Sequence, residues 1–365
     1  MIPYSRQSIN KDDLSAVLAV LKSDIITQGN VVEEFEKEIA KYLGIKYVIT
    51  FNSATSALYT AYKILDYKGF EFITTPLTFC ATSNMMLNLG IKPIFCEIDN
   101  LGNIDTFKIE KLINKNTRAI VSVDYAGISV DVYKIIEICK RYNLSFISDS
   151  SHSFGGEYKG RKIGQFADMS IFSFHALKPI TTIEGGAIVT NNKDFYKKAL
   201  LIRSHGIIKN ELWDSQLDFT GFNFRLSDVA SALGISQLKR LEGFIEKRAK
   251  IANFYNLAFK DNPFFSTLEI PKHIKSSHHL YPILLNQKLW KHKKAIFKDL
   301  LDKGIGIQVH YKPLYQYNLY KNHAKLQSAE CFYNAEISIP CHQKMSLKDA
   351  RFVAKNLLKI LKKYR

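Results

Sequence analysis

Residues 12–22 place Leu14, Val17, Leu18 and Leu21 on one face at helical spacing, which predicts an amphipathic helix. Residues 31–43 repeat the pattern, with Phe35, Ile39 and Leu43 aligned. The period then changes. Tyr47-Val48-Ile49-Thr50-Phe51 is a short apolar run that stops at Asn52-Ser53, which predicts a strand, and residues 54–65 read as a helix. Further strands are predicted near 71–75, 92–96, 119–124 and 145–148, with helices at 81–89, 106–113 and 132–142. Residues 169–174 form another strand candidate, and Glu184-Gly185-Gly186 is a glycine turn feeding a strand that ends at Thr190. This alternation predicts an α/β fold with a mostly parallel sheet covered on both faces. Ligands of such sheets bind at the carboxyl ends of the strands.

A long helix is predicted over 227–255, and beyond about residue 261 the texture changes. Short strands at 280–285 and 307–310 and helices at 291–303 and 347–361 suggest a smaller α+β domain. The reading is therefore a large domain over 1–260 and a small one over 261–365. A chain of 365 residues suits that division.

Composition narrows the class. With 46% hydrophobic and 23% charged residues the chain is globular rather than disordered. No apolar run approaches the ~20 residues of a membrane-spanning helix. The stretch Met1 to Arg6 has no apolar core, which argues against a secretory signal. Five cysteines, an odd number without a Cys-x-x-Cys pair, argue against a disulfide scaffold or a zinc ribbon and for thiols in a reducing cytoplasm. The net charge of +17 could attract nucleic acid, phosphates or anionic membranes. It is mostly lysine spread along the chain, without an RNA-binding aromatic signature or a helix-turn-helix pattern. The reading is a solvated surface that binds neither nucleic acid nor membrane, some of its charge favouring an anionic small substrate.

Two residues carry the candidate chemistry. Asp149 ends the apolar run Phe146-Ile147-Ser148 and precedes Ser150-Ser151-His152. Such an acid could ligate a metal, act as a base or pair with a cationic ring nitrogen, and loop capping fits it equally well. A metal hydrolase built on Asp149 and His152 lacks further histidines at metal-ligand spacing. Lys178 lies on a short loop between two apolar strands, beside Pro179 and ahead of Gly185-Gly186. Partial desolvation there would lower its pKa and free a nucleophilic amine, although a surface lysine is the plain alternative. As a pair they match what pyridoxal phosphate enzymes need, a lysine for the Schiff base and an acid on the pyridine nitrogen. Asn52-Ser53-Ala54-Thr55-Ser56-Ala57 is a strand-to-helix turn of small residues that could bind a phosphate or simply cap the helix. Phe79, in Thr78-Phe79-Cys80-Ala81-Thr82, could stack on a ring or pack in a core.

These motifs, with Thr27-Gln28-Gly29, Asp149 to Gly155, Phe172 to Gly186 and Gly221-Phe222-Asn223-Phe224-Arg225-Leu226-Ser227, resemble the DegT-type nucleotide-sugar aminotransferases over nearly the whole chain. The resemblance implies a fold-type I enzyme, with a seven-stranded, mostly parallel sheet flanked by helices and a small C-terminal α+β domain. It implies pyridoxal 5'-phosphate as cofactor. Lys178 resembles the Schiff-base lysine and Asp149 the acid on the pyridine nitrogen. His152 stands where the family contacts the phenolic oxygen and Phe79 where an aromatic stacks on the ring. Ala54, Thr55 and Ser173 match the phosphate cradle. Asn223 resembles an asparagine that reaches the phosphate from a partner subunit, which implies a homodimer with shared active sites. Tyr4, the loop Asp24-Ile25-Ile26-Thr27 and the stretch Gln308-Val309-His310-Tyr311 match regions lining the sugar-nucleotide pocket, which implies that segment 1–30 lies near the active site, though His310 and Tyr311 read equally as strand-end packing.

The run Ser173-Phe174-His175-Ala176-Leu177-Lys178-Pro179-Ile180-Thr181-Thr182 is most similar to the subgroup of pseudaminic acid synthesis. That implies amination at C4 of a UDP-4-keto-6-deoxy-N-acetylhexosamine with L-glutamate as donor. The alternatives are an aminotransferase for a different nucleotide keto-sugar (the other C4 epimer, or amination at C3), a pyridoxal phosphate sugar dehydratase, or a basic protein that binds nucleic acid or an anionic surface. Relatives that act as dehydratases have histidine at the lysine position. Two departures stand out: Ile183 where the family often has glycine, and Ser150-Ser151 where it often has Ala-Ala.

Overall fold

Seven strands form the central sheet, in the spatial order Tyr47–Phe51, Gly186–Thr190, Met169–Ser173, Ser145–Asp149, Thr117–Val123, Glu71–Thr74, Lys92–Phe95. The five from Met169–Ser173 to Lys92–Phe95 run parallel, and Gly186–Thr190 pairs antiparallel with both its neighbours. The structure is a computed structural model and describes residues 1–217 and 219–364. The inner strands are buried almost throughout, as near-continuous apolar runs must be when helices cover both faces. One face packs on Phe35, Ile39 and Leu43 of helix Asn30–Leu43 and on Ile135 and Ile138 of helix Val132–Tyr142. The other packs on Ala57, Leu58 and Ala61 of helix Ala54–Leu65 and on Ile202 of helix Lys193–Arg203.

A separate apolar cluster gathers a three-stranded antiparallel sheet, Phe265–Thr267, Tyr281–Leu285 and Glu336–Ile339, with helices Lys293–Asp302 and Leu347–Leu361. Helix Leu241–Ala258 contributes Ile251, Ala252 and Tyr255 to it. Among the described residues no helix is long and apolar enough to cross a membrane.

Several elements differ from the sequence reading. Residues 106–113 form only a 3-10 turn at Ile109–Leu112, because the Asp105 side chain accepts the N–H of Phe107 and holds the chain in a local turn. The helix expected over 227–255 is two helices, Asp228–Leu238 and Leu241–Ala258. Between them Arg240 turns its guanidinium to the Ser8 carbonyl and the Asp13 carboxylate. The first helix, Lys11–Leu21, buries Asp13 and Val20 and exposes Leu14, Leu18 and Leu21. Ser236, Gln237 and Arg240 all donate to Asp13, and this network turns the polar side inward. Residues 307–310 make a single bridge, Gln308 to Ser338, rather than a strand. The strands Phe265–Thr267 and Glu336–Ile339 and the helix Gln327–Ala335 were not anticipated.

Phe35 is fully buried, 5.5 Å from the Phe174 ring and pressed against Gly234. Phe35→Ala is expected to cost about 3–5 kcal/mol of stability, measured by urea unfolding.

Candidate active site

All the parallel strands end on one side, and a cavity of about 910 Å³ opens there. Asp149 is the last residue of strand Ser145–Asp149 and is buried. Its Oδ2 accepts the Thr82 hydroxyl at 2.7 Å, and its Oδ1 accepts the Ser151 hydroxyl at 2.6 Å and the Ser151 N–H at 3.2 Å. Thr82 in turn meets Thr78 at 2.8 Å. A buried carboxylate is tolerated when its lone pairs are satisfied in this way.

Lys178 lies on the loop between Met169–Ser173 and Gly186–Thr190, its N–H donating to the His175 carbonyl at 2.9 Å. Its amine lines the same cavity as Asp149 and sits 3.5 Å from Nε2 of His279. Burial pushes the amine down to about 8, aided by the Arg248 charge and opposed by Asp149. Burial thus brings loss of the amine's proton close to the neutral pH range.

The rings of His152 and His279 pack with centroids 4.4 Å apart, tilted 47° to each other. Burial, then the Lys178 charge, pushes both well below the usual histidine range, so both are neutral. Nε2 of His152 meets the Tyr311 hydroxyl at 3.0 Å. Among the described residues Nδ1 of each ring is buried without a hydrogen-bond partner. Phe79 is 58% exposed and lines the cavity, so it does not serve as core packing.

The helix Ala54–Leu65 begins at the cavity. Ser53 caps it by accepting the Ser56 N–H at 3.1 Å, while Ala54 and Thr55 line the cavity. The first N–H groups of a helix have no partner within it and favour an anion. Gly186 makes this approach possible. A Cβ there would lie 2.5 Å from the Ala54 nitrogen and 2.6 Å from its Cα, both backbone atoms that cannot swing aside. Ser173, at the adjacent strand end, completes the polar edge.

Tyr4, Gln308, Val309, His310 and Tyr311 also line the cavity. Asp24, Ile25, Ile26, Thr27 and Asn223 do not; all five are exposed on this chain, and the Asn223 carbonyl accepts from the Asn52 side chain at 3.3 Å. The sequence reading missed Thr82, Gly186's steric role, His279 and Arg248. Arg248 is fully buried and donates to the carbonyls of His278, His279 and Cys341 and to the Gln343 side chain. The polar run Ser276-Ser277-His278-His279 ahead of an apolar strand was the one signal available. Ile183 holds φ 74°, the left-handed region costly for a β-branched residue and one that glycine would adopt without strain.

The residues present fit pyridoxal phosphate: a helix start made accessible by Gly186, an oriented carboxylate, a lysine amine with a lowered pKa and two ring nitrogens without partners among the described residues share one cavity. Gly186→Ala is expected to weaken retention of the cofactor by roughly tenfold or more, corresponding to about 1.4 kcal/mol, read from its absorbance after dialysis. In cofactor-free protein, chemical modification of Lys178 should rise with pH through about 8, because the reactive neutral amine forms above its pKa. Peptide mass mapping against pH checks this.

Residues 7–358 match the DegT/DnrJ/EryC1/StrS aminotransferase family. The chain is 51% identical to a UDP-4-amino-4,6-dideoxy-N-acetyl-beta-L-altrosamine transaminase of Campylobacter jejuni, covering 100% of this chain and 98% of that one. The solved structure of Helicobacter pylori PseC, an aminotransferase of pseudaminic acid biosynthesis, is 49% identical with a TM-score of 0.97 and covers 99% of each chain. A putative sugar aminotransferase from Streptococcus pneumoniae, solved in its pyridoxal phosphate form, is 27% identical with a TM-score of 0.94, over 100% of this chain and 99% of that one. The chain belongs to the DegT/DnrJ/EryC1/StrS aminotransferase family.

Proposed function

We propose that this protein transfers the amino group of L-glutamate to C4 of a UDP-4-keto-6-deoxy-N-acetylhexosamine. The products are UDP-4-amino-4,6-dideoxy-N-acetyl-β-L-altrosamine and 2-oxoglutarate, within pseudaminic acid biosynthesis. The observation that carries this reading is the meeting of Lys178, Asp149 and the start of helix Ala54–Leu65 in one cavity, in a chain so similar throughout its length to transaminases of that name.

Bound pyridoxal phosphate would supply an electron sink for the carbon that loses its proton. The N–H groups of Ala54 and Thr55 and the hydroxyl of Ser173 would hold its phosphate. Phe79 would cover one face of its ring. Asp149, steadied by Thr82 and Ser151, would keep the ring nitrogen protonated. The Tyr311 hydroxyl stays protonated because burial raises its pKa, so it can donate to Nε2 of His152. Nδ1–H of His152 is then free to meet the phenolic oxygen. Lys178 Nζ would take the proton from the donor's α-carbon and return it one position along, its low pKa making both transfers accessible. His279 limits where that amine can sit.

A second copy of the chain would complete the site. Asn223 and the loop 24–27 lie exposed outside this chain's own cavity, and Leu14, Leu18, Leu21, Ile25 and Ile26 form exposed apolar positions near the start of the chain. These features support a homodimer with shared sites. The reading includes a cytoplasmic location and a division into domains 1–260 and 261–365.

Borohydride reduction of the holoenzyme should fix a pyridoxyl mass on the peptide containing Lys178; a label on another lysine rejects the assignment. Lys178→Ala is expected to lower turnover by on the order of 10³-fold or more while the cofactor still binds non-covalently. Asp149→Asn should slow both half-reactions by roughly 10²-fold, measured by stopped-flow absorbance.

A further inference from the structure

We propose that Glu336 and Ser338 fix the tautomer of His310, so that its Nε2 lone pair accepts the sugar hydroxyl beside the reacting carbon. The inference rests on the substrate reading above.

Glu336 opens the strand Glu336–Ile339 and is fully buried. Its Oε2 accepts the His310 N–H at 2.8 Å, and its Oε1 accepts the Ser338 hydroxyl at 2.5 Å. An ionised carboxylate offers only lone pairs, so it takes the single proton of Ser338. Ser338 Oγ also lies 2.8 Å from Nδ1 of His310, and toward that atom it can now only accept. Nδ1 therefore carries the ring hydrogen and Nε2 is left as an acceptor. The Tyr125 hydroxyl donates to the His310 carbonyl at 2.5 Å, and Gln308 bridges to Ser338, so the segment is held from both sides.

His310 lines the cavity, its ring 5.5 Å from Tyr4 and 4.9 Å from Tyr311. Burial and the Lys178 charge push it down to about 3, so it stays neutral. The groups facing Glu336 are Ser338, the His310 N–H, Lys293 and Tyr125. Burial raises Glu336 to about 7, so the relay has the stated direction above that pH and loses it below. In the keto-sugar, C1 carries the nucleotide, C2 the acetamido group, C4 the carbonyl, and C5 the ring oxygen and a methyl. Only C3 keeps a free hydroxyl, next to the reacting C4. An acceptor that lines the same cavity as Lys178 suits that hydroxyl.

Holoenzyme labelled with nitrogen-15 histidine reports the tautomer at pH 8, with His310→Asn used to assign the signal. A protonated Nδ1 and bare Nε2 are expected; the reverse overturns the proposal. Ser338→Ala should lower kcat/KM for the keto-sugar by roughly tenfold relative to the glutamate half-reaction, and Ser338→Thr should restore it. Wild-type enzyme should lose a similar factor with the 3-deoxy sugar, and Ser338→Ala should lose little more. Fully additive losses reject the hydroxyl contact. A wild-type enzyme inert toward UDP-4-keto-sugars rejects the substrate reading, and the nitrogen signals still decide the tautomer.

Discussion

The Asp149 carboxylate and the Lys178 amine act on each other across one cavity, and the remaining site is arranged around that pair. Neither group could be buried alone without a large cost. The carboxylate is made tolerable by the Thr82 and Ser151 hydroxyls, which aim its lone pairs as well as satisfying them. The amine is made reactive by the same burial, since loss of water disfavours its charged form.

The strand order supplies the third part. Gly186–Thr190 inserts antiparallel between Tyr47–Phe51 and Met169–Ser173, so its first residue meets the helix that leaves Tyr47–Phe51. Only a residue without a side chain lets that helix start come so close. The loop that displays Lys178 ends at the same glycine pair, so one short segment serves both the amine and the anion site.

The C-terminal sheet is part of the same chemistry. Arg248 crosses from helix Leu241–Ala258 to hold the backbone of His278, His279 and Cys341, and its charge reaches Lys178. Among the described residues all of its bonds go to neutral acceptors, so its positive field is left uncancelled in a buried interior. His279, just ahead of strand Tyr281–Leu285, and His310, beside Ser338, line the cavity together with Lys178.

The alternation of strand and helix, the polar strand ends and the candidate pair at 149 and 178 were legible because each is a local pattern of period or composition. The helix Leu347–Leu361 was legible to the residue for the same reason. The kink at Lys239-Arg240 was not, because no glycine or proline marks it and a contact with Asp13, distant in sequence, makes it. The outward apolar face of helix Lys11–Leu21 was hidden likewise: its period is amphipathic, but a buried carboxylate chose which side turns inward. His279, Arg248, Glu336 and Ser338 carry no local signature. Their roles arise where separate segments meet, since a hydrogen bond or a desolvated charge depends on neighbours in space that the order of residues does not display.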